Sequence, residues 1–161
     1  MPPTYPHQMR PSITIIGIGN ADRGDDGIGL AIAHALSEEA PKHVNVHRLA
    51  GNCISLLNLW QQADIAIVID AVRAVGKPGT IHRIDAHHQP LPQTLFGNSS
   101  HSFGVAQAVE LARSLHQLPP SLILYGVTGQ TFEPGASLST QVAQALPTVV
   151  ERICKEVQAY Q

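Results

Sequence analysis

Three carboxylates and one cation crowd a single short stretch: Asp22, Arg23, Asp25 and Asp26 lie within residues 13–29, ITIIGIGNADRGDDGIG. A local excess of negative charge of this kind has a positively charged guest as its natural complement. Asp70 closes a second apolar run, IAIVID, and His101 stands just before a helical pattern. Two carboxylates and an imidazole form a mixed oxygen and nitrogen ligand set that suits a borderline divalent ion such as nickel, zinc or manganese. Asp26, Asp70 and His101 are therefore the candidate set. The same residues have a plainer reading, with Asp26 as a helix cap, Asp70 as a turn cap and His101 as a polar loop residue.

The elements that must aim these side chains alternate between strand and helix. Residues 13–18 are β-branched almost throughout and end in Gly17, Gly19 and Asn20, so they read as a buried strand followed by a tight turn. A helix then begins at Asp25 or Asp26 and runs to Ala40, with Ile28, Ala31, Ile32, Ala35 and Leu36 at helical spacing before Pro41. Residues 43–49 alternate like a half-exposed edge strand, with His43 and His47 toward solvent. Residues 54–63 form a short amphipathic helix, and 65–70 form a strand apolar on both faces, as central parallel strands are.

GKPG at 76–79 is turn chemistry, and the strand over 80–85 follows with no helix between, which makes it antiparallel. Residues 86–100 form a long loop; a helix over 103–115, a strand over 122–127 and a closing helix over 138–160 complete the chain, with Pro147 bending or interrupting the last of them. Strands alternating with helices predict an α/β domain of three layers with a mostly parallel sheet. Ligands of such sheets sit beyond the C-terminal strand ends, where successive strands depart in opposite directions. If strands 13–18 and 65–70 are central neighbours, Asp26 and Asp70 face one crevice.

A chain of 161 residues with 43% hydrophobic content reads as one domain over 12–161 after a flexible tail at 1–11. A net charge of −2 without a basic block gives no footprint for nucleic acid. No apolar run reaches the roughly 20 residues of a bilayer span, and the tail has no signal-peptide core, so the expected compartment is the cytoplasm. Cys53 and Cys154 have neither metal nor redox spacing and read as inert thiols.

The Gly17-Ile18-Gly19 turn invites a dinucleotide reading, but Asp22 takes the third glycine position and Asp25 and Asp26 would repel a pyrophosphate. Nickel, zinc or cadmium is expected to bind at this crevice and NAD is not. A serine nucleophile finds no Gly-x-Ser-x-Gly elbow, and Cys53 has no evident base.

GIGNADRGDDGIG at 17–29, VIDAV at 68–72 followed by GKPGTIHRI, SSHSFGVAQAVELA at 99–112 and YGVTGQTFEPGASLSTQVAQAL at 125–146 together resemble the hydrogenase maturation protease family. The resemblance runs in order from about Ile13 to Ile153. It implies a phosphorylase/hydrolase-like α/β/α fold, a mixed five-stranded sheet with the strand after GKPG antiparallel at one edge. It also implies an aspartyl-type endopeptidase that trims the C-terminal extension of nickel-iron hydrogenase large subunits. The three metal-contacting, catalytic side chains then fall on Asp26, Asp70 and His101. The metal that the resemblance implies is nickel already loaded into the substrate, for which zinc or cadmium is expected to substitute in vitro.

Some members carry a glutamate where Asp26 stands, so the carboxylate here is one methylene closer to the backbone. The TGQTFEPG segment reads as a long, loose loop. A polarised carbonyl or an activated water would perform the cleavage, and one carboxylate is a candidate general base. The loop at 86–100 is either a clamp on the substrate tail or a connector, with His87 and His88 solvated. A second class of function uses the same crevice: a non-catalytic, metal-dependent module that binds hydrogenase precursors.

Overall fold

The computed structural model describes residues 10–50, 52–73, 76–92 and 103–160. Its five strands are β1 (Ile13–Ile18), β2 (Val44–Leu49), β3 (Ile65–Val72), β4 (Ile81–Asp85) and β5 (Ser121–Thr128). The helices are α1 (Ile28–Glu39), α2 (Leu56–Trp60), α3 (Val105–Ser114) and α4 (Thr140–Ala159), with 3-10 turns at Gly24–Gly27 and Cys53–Ser55 leading into α1 and α2. The strand order is β2-β1-β3-β5-β4. All neighbours are parallel except β4, which runs antiparallel to β5 at the edge, as the missing crossover helix requires.

The two most apolar strands, β1 and β3, are indeed adjacent, with Ile13 opposite Ile65 and Gly17 opposite Ile69. Their side chains alternate between two cores, which is why the sequence is apolar without a break. Ile13, Ile15, Ile65, Ile67 and Ile69 pack under α1 and α4, and Ile16, Ile18, Ala66 and Val68 pack under α2 and α3. The result is the α/β/α sandwich. Chain leaving β1 turns to β2 on one side while β3 lies on the other, so the switch point falls between β1 and β3.

The first helix is held very close to this point. A Cβ added to Gly29 would come within 2.3 Å of the Ile18 carbonyl oxygen and 2.5 Å of that of Ile69, both backbone atoms that have nowhere to go. Gly29→Ala is therefore expected to lift α1 from the sheet and to lower unfolding stability by about 3 kcal/mol. The measurement is a denaturant midpoint at constant m-value; a midpoint equal to that of the wild type would contradict this account.

Two expectations change. The aspartates do not cap α1, whose N-cap is Gly27 and makes no side-chain capping bond. Pro147 neither ends nor divides the last helix, which is continuous over Thr140–Ala159. Pro147 and Ala143, whose carbonyl loses its i+4 donor, are both exposed, on the solvent side of the helix, while Val142, Ala145, Val149 and Val150 stay packed in the core. At the far edge, Glu156 of α4 accepts from the Tyr125 hydroxyl and from the Arg83 guanidinium, tying β4 and β5 to the helix. Burial and the Glu156 carboxylate together push the Tyr125 phenol above its ordinary range.

Candidate active site

The chain leaves β1 through Gly19, whose φ of 153° is open to glycine; a Cβ there would meet the Asp26 carbonyl oxygen at 1.9 Å. This close return lets the Asn20 N–H donate both to the Asp26 carbonyl at 3.3 Å and to Asp26 Oδ2 at 3.0 Å. Asp26 is thereby buried and fixed in the 3-10 turn above the C-terminal end of β1. Asp70 lies in β3, one residue beyond the Ile69 that pairs with Gly17. Its carboxyl is pushed well above the usual range, first by burial and then by the charge of Asp26, against the opposite pull of the Ala71 N–H.

Cys53 belongs to the same crevice. Its thiol is pushed up to about 12 by burial, then by the charges of Asp70 and Asp26. A thiol held protonated at neutral pH is a poor nucleophile, which agrees with an inert cysteine. Among the described residues no group of three His, Cys, Asp or Glu side chains is positioned to hold a metal ion. Asp26 and Asp70 are brought together as a pair, while His101 falls outside the described residues. His87 and His88 are exposed; His87 Nε2 donates to the Pro119 carbonyl at 2.7 Å, and His88 lies 3.7 Å from Asp85.

Sequence reasoning missed what Asp25 does. Fully buried, it spends both oxygens on a segment more than a hundred positions away. Oδ2 accepts from the Gln130 and Thr131 N–H groups at 2.7 and 3.0 Å and from the Ser139 hydroxyl at 2.9 Å, and Oδ1 accepts from the Ser139 N–H at 2.7 Å. Burial opposes the charged form, but the bonds from Thr131, Ser139 and Gln130 prevail and hold the carboxyl below its usual value. The loop after β5 is further tied by Gly135 N–H to the Asp22 carbonyl at 2.7 Å and by Gly24 N–H to the Ala136 carbonyl at 3.0 Å.

Arg73 stacks over the Phe132 ring at 4.0 Å, and Arg23 Nε donates to the Phe132 carbonyl at 3.4 Å. The TGQTFEPG segment is thus a pinned rim beside the crevice rather than a loose loop. Nothing local in the sequence signals this, because backbone N–H donors look alike at every position. The single available hint was that Asp25 and Asp26 are adjacent in a turn where only one can face a guest.

Among the described residues no helix is long and apolar enough to cross a membrane. Residues 30–156 match the model of the HycI family, hydrogenase maturation protease. The hydrogenase expression/formation protein HupD of Thiocapsa roseopersicina is 31% identical over 88% of this chain, which spans 65% of that relative's length. The hydrogenase 2 maturation protease of Escherichia coli K12 is 28% identical over 88% of this chain and 87% of its own. The structure of the hydrogenase maturating endopeptidase HybD from E. coli superimposes with a TM-score of 0.77 at 26% identity, covering 94% of this chain and 93% of that one. With the strand order and the matched span in agreement, this chain belongs to the hydrogenase maturation protease family, a family of hydrolases.

Proposed function

We propose that this chain is a cytoplasmic endopeptidase that removes the C-terminal extension of a nickel-loaded nickel-iron hydrogenase large subunit. The observation that carries the reading is the adjacency of β1 and β3, which puts Asp26 and Asp70 at the same end of the sheet within each other's electrostatic field. Two carboxylates side by side in a desolvated crevice are costly without a cation and favourable with one. They leave most of a divalent ion's coordination shell open, and His101 is the third ligand that the family resemblance supplies. Such a site is suited to an ion that another protein already holds.

Nickel in this account is part of the substrate. Asp26 and Asp70 engage it at the unfinished hydrogenase site, and the scissile peptide bond follows it into the crevice. The walls are preorganised, since Asp26 is held by Asn20 and the neighbouring rim by Asp25. No ordering of these groups is then needed at the moment of cleavage.

The test is to strip the enzyme with a chelator, remove the chelator, and offer nickel-loaded and nickel-free precursor side by side. Only the loaded precursor is expected to lose mass. Equal cleavage of both removes nickel from the account, and a requirement for zinc restored to the enzyme recasts the chain as an ordinary metalloprotease.

A further inference from the structure

Asp70 has polar company farther along the sheet. It pairs with Gly126 of β5, and Gly126 in turn pairs with His82 of β4, so the three stand in one row across three strands. Residues of one row project from the same face of a sheet. The row two residues deeper identifies that face, because Val68, Leu124 and Ile84 are all buried in the core under α2 and α3. Asp70 and His82 therefore rise on that face with Gly126, which has no side chain, between them. The imidazole turns toward β5, where its Nε2 lies 2.9 Å from Oγ1 of the buried Thr128. Half-buried and on the wall of a cleft of about 340 Å³ beside Gln89 and Pro90, His82 is accessible to a chain arriving from solution.

We infer that His82 is a substrate-binding residue of this site, hydrogen-bonded to one peptide group of the precursor near the scissile bond, with Thr128 orienting its ring. The inference rests on the endopeptidase reading and deepens it. That reading supplies the guest's chemistry, since a polypeptide drawn to Asp70 brings main-chain N–H and C=O groups whatever its sequence. Two strand spacings put the backbones of Asp70 and His82 about 10 Å apart, and an extended chain gains about 3.3 Å per residue, so about three residues of substrate bridge them. An imidazole suits such a guest. The nitrogen that does not face Thr128 donates or accepts according to the tautomer, and the Thr128 hydroxyl complements either state. The neighbouring Arg83 is no rival for this role, because it projects from the opposite face, where it is committed to Glu156.

Three variants probe the contact. His82→Leu removes both ring nitrogens, and His82→Gln keeps a polar group that can meet Thr128 and the substrate together. His82→Leu combined with Thr128→Val removes both partners of the buried hydrogen bond, so no hydroxyl is left unpaired to lower stability. The ligand is a nickel-loaded large-subunit precursor with its extension intact, prepared from the same cells, and calorimetric affinity, steady-state cleavage and Tm are read. His82→Leu and the double variant are each expected to weaken binding and raise KM about tenfold, with kcat within a factor of two. His82→Gln is expected to stay within about threefold of the wild type in both readouts.

Wild-type affinity and KM in the double variant show that His82 acts only through folding, which overturns the inference and leaves the endopeptidase reading in place. A collapse of kcat in His82→Leu, as expected of Asp70→Asn, also overturns it, since the ring would then serve the metal or the reacting atoms. Weakened binding in His82→Leu and the double variant, with no cleavage even by the wild type, supports the contact and overturns the endopeptidase. Absence of binding by the wild type overturns both.

Discussion

Asp70→Asn is expected to abolish processing while leaving the fold at least as stable as the wild type. The amide keeps the shape of the side chain and an oxygen that can accept from the Ala71 N–H, but it brings no negative charge to a cation. A loss of about a thousandfold in processing rate is the size of effect seen when one preorganised electrostatic contact is removed. The stability limb follows from the direction of the shift. Burial and Asp26 raise the Asp70 carboxyl, so the folded state favours the protonated form. That contribution is present below the unfolded value and is lost as pH rises through the raised native one. At neutral pH a charged Asp70 weighs against folding, and the neutral amide relieves it. Processing at the normal rate, or a Tm several degrees below the wild type, would sink this assignment.

Substitution of Asp25 should behave in the opposite sense. Asp25→Asn turns an acceptor of four hydrogen bonds into a group whose NH₂ faces N–H donors from Gln130, Thr131 or Ser139. The expected loss is about 3 kcal/mol at neutral pH, since buried donors are left unpaired. For a domain of this size that is a fall in Tm of about 6 to 12 °C. Because the native Asp25 carboxyl lies below its unfolded value, its contribution is complete above the ordinary carboxylate range and disappears as pH falls through the lowered native value. The difference in stability between wild type and variant should therefore shrink on acidification. A difference independent of pH would show that Asp25 acts through shape alone.

These two aspartates mark how far the sequence could be read. The periodicity and composition of residues 13–18 and 65–70 announced buried central strands, and strand adjacency then brought Asp26 and Asp70 together. The antiparallel β4 was legible because the chain has no room for a crossover helix between residues 72 and 81. Asp25 was opaque for a physical reason. Its partners are main-chain amides in a loop more than a hundred residues later, and an amide carries no signature in the sequence. Of the two outcomes expected at Pro147, interruption does not occur, because the residue faces water where a lost helical bond costs little, and a local rule about helix interiors carries no knowledge of that exposure. His101 is an expectation of the sequence and the resemblance alone.

The clamp made by Asp25 also bears on when the enzyme can first act. Its acceptors meet donors that lie 105 to 114 positions downstream, so a chain still emerging from the ribosome holds the N-terminal turn and its carboxylates long before it holds the rim. Until residues 130–139 are made, closing the turn would bury the Asp25 charge with nothing to satisfy it, so the turn has no reason to close. Contacts this distant form late, after the entropy of bringing the ends together has been overcome. Nascent or prematurely terminated chains would thus lack an ordered crevice.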